Sequence, residues 1–444
     1  HRYVEAFDTL KLTEKQYSQA RRDGATLRLT AESQYMVSIN DQVIGHGPSK
    51  AAAGDAFVDD YDVTQQLRRG ENHLQIIVLS LGSGNVSHVA ADAGLIFELR
   101  AGGQVLSSGG HTRMRDIAAR RQRTVRRWFL PCAEYVEQDA EPARWRRAHE
   151  VEGSRRCRPR RVPLESRTPL IPGRILHADR VELPDFCVSL RFRPMLLPEN
   201  DRLASNPFSD AGYIVTDLFS SAAQNLNLVT TTGCGRWHDD KGKRLFELSP
   251  WSSFVTWLTP RHQLKLRKGS NRLIASVHVG HNDDLTLAGF AKNTIEARNP
   301  FGDGAFAVLP TPEGEPVVEG EALCDIDFEQ LAQRLPPTDP QYSFVGGDDF
   351  ARVSNGRPIA DSQHSKDARN LIDTPAGEPL VLPATHDDDQ AWRVILDLGA
   401  VHLGYIAFDA EAVSGSTLII VGVESLDEAN PANIRWPHPI RNVL

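Results

Sequence analysis

Along much of the chain apolar and polar residues alternate with a period of two, the mark of strands that bury one face and wet the other. Leu27, Leu29 and Ala31 alternate with Thr26, Arg28 and Thr30, and Tyr35, Val37 and Ile39 repeat the pattern before Asn40-Asp41, so the two segments predict a hairpin. Leu74, Ile76 and Val78 follow Gly70-Glu71-Asn72, and Leu95, Phe97 and Leu99 precede Gly102-Gly103. Short strands at this spacing, with few helical stretches, predict an all-β fold. We expect two or three antiparallel β-sandwich (jelly-roll-like) domains joined by Pro/Arg-rich connectors.

An internal repeat sharpens this. Leu67-Arg68-Arg69-Gly70-Glu71-Asn72-His73-Leu74 returns 199 residues later as Leu266-Arg267-Lys268-Gly269-Ser270-Asn271-Arg272-Leu273. The same offset carries Leu27 and Leu29 onto Leu226 and Leu228, and a nearly equal one carries Phe57-Val58 onto Phe254-Val255. Matches in register imply one structural unit used twice, here over residues 1–130 and 185–310. In each copy the Gly permits a positive φ and the Asn can bond local backbone, which aims the next strand.

Residues 131–184, with Pro159, Pro163, Pro169 and Pro172, read as an extended connector lying across both sandwiches. Residues 311–340 are acidic and contain proline, which predicts a linker with one short helix at Phe328 to Arg334. In 341–444 strands are expected at Trp392 to Leu398, Gly404 to Ala410 and Ser416 to Val423, forming a third β-domain that looks cut short.

At 444 residues, 40% hydrophobic and 24% charged, the chain suits several folded domains, and no apolar run approaches a membrane span. The net charge of -8 gives no general attraction for phosphate backbones. Against this stand eighteen arginines between His111 and Arg180, including Arg120, Arg121, Arg123, Arg126 and Arg127 beside Trp128. A nucleic-acid patch is one reading. The preferred one is a solvated connector paired with Glu134, Glu137, Asp139 and Glu141, because arginine replaces lysine throughout the chain, 41 against 9. Cys132, Cys157, Cys187, Cys234 and Cys324 are odd in number and widely spaced, which reads as free thiols and favours a reducing compartment. The chain starts at His1 without a signal segment, so its native start and its location stay open.

Four segments resemble the bacterial α-L-rhamnosidases. These are Tyr35 to Asn40 with Val43-Ile44-Gly45 and Gly47-Pro48; Tyr61-Asp62-Val63-Thr64 with Leu67 to Asn72; Arg158-Pro159-Arg160-Arg161-Val162-Pro163-Leu164; and Leu396-Asp397-Leu398-Gly399 with Gly404, Gly415 and Glu424-Ser425-Leu426. The resemblance implies an inverting glycoside hydrolase in which β-sandwiches precede an (α/α)6 catalytic barrel, here the missing C-terminal partner. It implies a rhamnose-containing glycan or glycoside as ligand, and no required cofactor. No catalytic residue can be carried over, since the family's acid and base lie on the barrel.

Acidic clusters at Asp59-Asp60-Asp62, Asp283-Asp284, Asp348-Asp349 and Asp387-Asp388-Asp389 read as solvated loop residues rather than an acid/base pair. Calcium is a better use of such groups, with Asn40, Asp41, Asp60 and Asp62 as candidates. Sugar binding would use Asn40 and an aromatic face from Trp237, Trp251 or Trp257. Trp251 and Trp257 read first as packing residues, whereas Trp237, in a turn beside His238 and Asp239, is expected to be exposed. His278 and His281 read as strand-end residues without a metal-binding spacing. Three functions follow: a non-catalytic part of a glycosidase, a stand-alone carbohydrate-binding or adhesion protein with duplicated modules, or an enzyme with an unfamiliar acid/base pair.

Overall fold

The computed structural model describes residues 2–52, 54–82, 92–120, 134–152, 155–164, 168–192, 196, 211–232, 235–248, 262–278, 284–311, 315–333, 343–345, 352, 356–359, 362–385, 389–400, 406–413, 415–420, 425–427, 430–435 and 442–443. It is mostly strand, and the sheets are largely antiparallel. The fold is all-β, of sandwich type.

The first sandwich is built from β1 (Arg2–Leu12), β2 (Thr26–Glu32), β3 (Gln34–Ile39), β4 (Gln42–Gly47), β5 (Asp55–Asp62), β6 (Gly70–Ser80), β7 (Gly94–Ala101), β8 (Gln104–Ser107) and β9 (Arg113–Asp116). One sheet runs β9-β1-β6-β3-β4 and the other β5-β2-β7-β8. Their facing side chains, among them Leu10, Leu27, Leu29, Val37, Leu74, Ile76, Phe97 and Leu99, form one core. A single helix, α1 (Glu14–Asp23), crosses between β1 and β2 behind a Thr13/Gln16 capping box. The hairpin expected from β2 and β3 does not form, because these strands belong to opposite sheets. Both carry their apolar set toward the same core, so they face one another across it. The hairpin is β3–β4, whose Asn40-Asp41 turn has φ of 50° and 66°, the left-handed pair that suits the strand twist.

Four short strands of the following segment are shared out among the sheets: β10 (Glu134–Tyr135), β11 (Arg146–Arg147), β12 (Arg156–Pro159) and β13 (Arg174–Glu182). β11 adds to β9, and β12 adds in parallel to β5. The segment is therefore not a bare connector, since it supplies edge strands to both sheets of the first sandwich.

The second sandwich comprises β14 (Phe186–Arg191), β15 (Ala211–Ser220), β16 (Gln224–Thr232), β17 (Gly235–His238), β18 (Arg244–Leu248), β19 (His262–Leu266), β20 (Gly269–His278), β21 (Asp284–Phe290), β22 (Ile295–Arg298), β23 (Ala307–Pro310) and β24 (Ser343–Val345). Its sheets run β18-β17-β20-β15-β22 and β19-β16-β21-β14-β24. The first repeats the order β4-β3-β6-β1-β9, and the run β19-β16-β21 repeats β5-β2-β7. At the repeated turn Asn72 Oδ1 accepts from Arg68 N at 2.7 Å, while its Nδ2 donates to the carbonyls of Arg68, Gly70 and Leu10. Asn271 does the same with Arg267, Gly269 and Leu218. Gly70 and Gly269 sit at φ 88° and 93°, where a side chain would be strained. Phe254-Val255 lie outside the described residues.

Residues 317–333 are not an open linker. A 3-10 turn at Gly320–Asp325 and the helix α2 (Phe328–Gln333) pack Leu323 and Phe328 onto Tyr213, Val215 and Ile274 on the outer face of the second sandwich. Beyond it, β25 (Arg357–Pro358) and β26 (Gln390–Asp397) flank β13 in a further sheet, in the order β25-β13-β26, and the helix α3 (Ser362–Ile372) packs against β13. The strand expected at Gly404 to Ala410 does not form over the described residues 406–410, and of the described residues 416–420 Ile419–Ile420 pair. Ile406 and Phe408 are exposed.

Candidate functional site

The most concentrated polar cluster lies inside the first sandwich. Alternation along β5 turns Asp59 and Tyr61 inward and Asp60 and Asp62 outward, and Asp59 is fully buried. The expectation that Asp59-Asp60-Asp62 is a solvated loop triplet therefore fails at Asp59, because strand parity carries its carboxylate into the core. Tyr35 donates its hydroxyl to Asp59 Oδ2, Tyr35 and Tyr61 hydroxyls meet at 3.0 Å, and Tyr61 donates to the His46 carbonyl at 3.1 Å. Among the described residues the cation on Asp59 is Arg160, at 3.1 Å and nearly buried. Burial first, then the bonds to Asp59 and Tyr61, hold the Tyr35 phenol protonated far above its ordinary range. Side chains at Gly45 or Gly47 would collide with Tyr61, or with Asp59 and Tyr35, which explains both glycines of this segment. The cluster is closed on itself: Tyr35, Asp59, Tyr61 and Arg160 bond one another in the core.

The residues anticipated from sequence are scattered. Asn40 is a turn anchor, donating to Gln66 O and Asn72 Oδ1 and accepting from His73 N. Asp41 is exposed at the hairpin tip. Asp60 pairs with Arg28 at 2.9 Å. Asp62 is held below the usual carboxylate range by Thr64, whose hydroxyl and backbone N–H both bond to it. Among the described residues no group of three or more His, Cys, Asp or Glu could hold a metal ion, and these four positions do not converge as a calcium site. Trp237 is not exposed. It is fully buried and stacks on Phe246 at 5.5 Å, because β17 turns it into the core of the second sandwich. Trp251, Trp257, His281, Asp283, Asp348, Asp349, Asp387 and Asp388 lie outside the described residues.

Among the described residues, several arginines of the rich stretch pair with acidic residues of the first sandwich. Arg115 pairs with the buried Glu5, Arg155 with Glu32, Arg156 and Arg158 with Asp55, and Arg146 with Asp116. Of the expected partners, Glu134 pairs with Arg120. Arg113 and Arg115 lie over the Trp145 ring at 5.3 and 4.4 Å. Arg121, Arg123, Arg126, Arg127 and Trp128 lie outside the described residues. No helix of the described residues is long and apolar enough to cross a membrane. One open groove of about 290 Å³ runs beside α3, lined by Asp367, Asn370, Leu371, Thr374, Val381 and Pro383, and it contains a single carboxylate.

No family model matches the sequence, and no curated protein does. The architecture does have counterparts among solved structures. The GH78 family rhamnosidase of Bacillus sp. GL1 superposes with a TM-score of 0.72 at 21% identity, over 90% of this chain and 44% of that one. The two share a fold. This chain spans less than half the length of that protein. The α-L-rhamnosidases of Dictyoglumus thermophilum (TM-score 0.28, 10% identity, 67% of this chain and 33% of that one) and Streptomyces avermitilis, the latter complexed with L-rhamnose (0.22, 14%, 70% and 26%), superpose too poorly to carry an argument.

Proposed function

We propose that this chain is the non-catalytic β-sandwich part of an α-L-rhamnosidase-like glycoside hydrolase, whose full-length parent hydrolyses terminal α-L-rhamnosyl residues by an inverting acid/base mechanism. The observation that carries the reading is the superposition on a solved rhamnosidase along nine tenths of the chain. It is joined by the segment resemblances around Gly45, Gly47, Asn72 and Arg160, which fall on the closed cluster and the repeated turn. Inversion needs two carboxyl groups roughly 6.5–9.5 Å apart with a water between them. Asp59, Asp60 and Asp62 instead bond to Arg160, Arg28 and Thr64. Exposed apolar side chains, among them Val381, Leu396, Leu398, Phe408 and Val413, crowd residues 372–418, a surface suited to packing against further protein.

Domain roles follow the same reading: sandwiches at 1–130 and 185–310, with a third β-region at 341–444 nearest the chemistry. The second reading, a stand-alone carbohydrate-binding or adhesion protein, rests on the duplicated module, which would supply two sites and avidity. Calorimetry with rhamnose and rhamnose-containing glycans separates the two. The scaffold reading predicts no saturable heat with this chain, and heat fitting two sites per chain would replace it with the binding reading.

A further inference from the structure

The internal repeat allows one face of the two sandwiches to be matched residue by residue. Leu74 and Leu273 are equivalent, and they pair with Asp8 and Thr216, so the registers match Phe7 with Val215, Glu5 with Tyr213 and Gln75 with Ile274. Their strand neighbours Ala6, Ile76, Ile214 and Ala275 point into the cores, so these six positions lie on the outer face. The two copies dress that face differently. In the second sandwich Tyr213, Val215 and Ile274 pack with Leu323 and Phe328, which cover them with chain. In the first the same positions carry a carboxylate, a ring and an amide. Gln75 donates to Glu5 at 2.6 Å, and Glu5 is committed to Arg115 at 2.5 Å. Phe7 and Trp145 stay half-buried with ring centroids 5.8 Å apart, and Arg113 lies 4.6 Å over Phe7.

Positive charge is what this face of the first copy has in excess. β9 and β11 pair Arg113 directly with Arg147, which puts two guanidinium groups on one side of the sheet with Cβ atoms about 5 Å apart. Both are exposed, and among the described residues neither has a carboxylate partner. Like charges directly opposite oppose strand pairing, and a carboxylate bridging them turns that repulsion into attraction. Contact with Phe7 and Trp145 holds Arg113 in place while leaving its in-plane N–H groups for an acceptor. We propose that this face binds a uronate-bearing oligosaccharide, with Arg113 and Arg147 holding one sugar carboxylate and Trp145 and Phe7 packing against the ring C–H groups beside it. A nucleic acid fits poorly, because the chain carries a net charge of -8 and two unpaired arginines do not make a phosphate ladder. A peptide would want a groove or an open strand edge, and this edge of β9 is taken by β11. An inorganic anion would use the guanidinium groups alone. The inference stands apart from the glycosidase reading, which concerns terminal rhamnose.

Calorimetry of the full chain with trigalacturonate, which contains no rhamnose, tests the proposal. One site per chain is expected, because the equivalent face of the second sandwich is already covered. Arg113→Gln and Arg147→Gln are each expected to weaken binding about tenfold or more. Arg146→Gln, on the other face of the same short strand, should keep the parental affinity. Arg147 is exposed at a sheet edge, so Arg147→Gln should also keep the parental urea midpoint, which separates lost binding from lost folding. The neutral trisaccharide made by reducing the carboxylates is expected to give no saturable heat. Absence of saturable heat with trigalacturonate, equal binding of the reduced sugar, or undiminished binding in both arginine variants overturns the proposal. Equal affinity for inorganic sulfate or for a tri-aspartate peptide also overturns it, since the face would then take anions in general. Failure here leaves the rhamnosidase reading untouched, and failure of that reading leaves this site standing.

Discussion

At the scale of single residues, two asparagines organise the repeated turn of the two sandwiches. Asn72 is almost fully buried and bonds four backbone groups around the turn before β6, so Asn72→Ala leaves several of them unpaired. We expect a loss of about 2–3 kcal/mol in urea unfolding, and about 1 kcal/mol for the more exposed Asn271→Ala. Trp237→Ala empties the centre of the second sandwich and is expected to cost about 3–5 kcal/mol without altering any heat of sugar binding. The repeated Leu-Arg-x-Gly-x-Asn string made this turn legible from sequence, because its chemistry is local: each Asn bonds residues two and four positions before it. Asp59 was not legible in the same way. Its counter-ion lies 101 residues along the chain, and no pattern of spacing announces such a pair. One signal was present, since Asp59 shares strand parity with Tyr61, and a carboxylate on the inward side of a strand demands a partner.

At the scale of elements, alternation located strands well and neighbours poorly. It placed β2, β3, β6 and β7 correctly, yet joined β2 to β3 as a hairpin, because period two says which face is buried and not which sheet a strand enters. Pairing across long separations was invisible for the same reason. β13 pairs with β26, binding Asp179 to Arg393 at 2.5 Å more than two hundred residues apart. On β19, His262 stacks on Phe246 at 5.0 Å, and burial lowers its pKa. The folded state thus favours neutral imidazole, while the unfolded chain titrates near ~6.5. The stability that depends on neutral His262 is complete above that pH and is lost as the pH falls below it toward the lower folded-state value. Thermal melts between pH 7.5 and about 5.5 should show the second sandwich weakening. His262→Phe, which keeps the stack, should flatten that part of the profile, and an unchanged slope would remove His262 as its source.

At the scale of the whole molecule, the chain is a set of stacked sheets whose polar clusters are turned to holding sheets together. Asp59 with Arg160, Glu5 with Arg115 and Asp179 with Arg393 each tie separate segments, and each is consumed in doing so. A carboxylate already committed to a guanidinium makes a poor general acid or base. The all-β class was legible from alternation and the repeat, while the distribution of the connector among four sheets was not, since its strands are two to nine residues long. The apolar side chains exposed over 372–418 predict that a further helical segment or partner protein binding there would protect Leu396 and Leu398 from solvent, measurable as slowed exchange along β26. The most direct measurement of the proposed scaffold role is hydrolysis of an aryl α-L-rhamnoside by the 444-residue chain alone. A scaffold predicts release no faster than in buffer; steady turnover by this chain, abolished when one of its own aspartates is replaced, would contradict it.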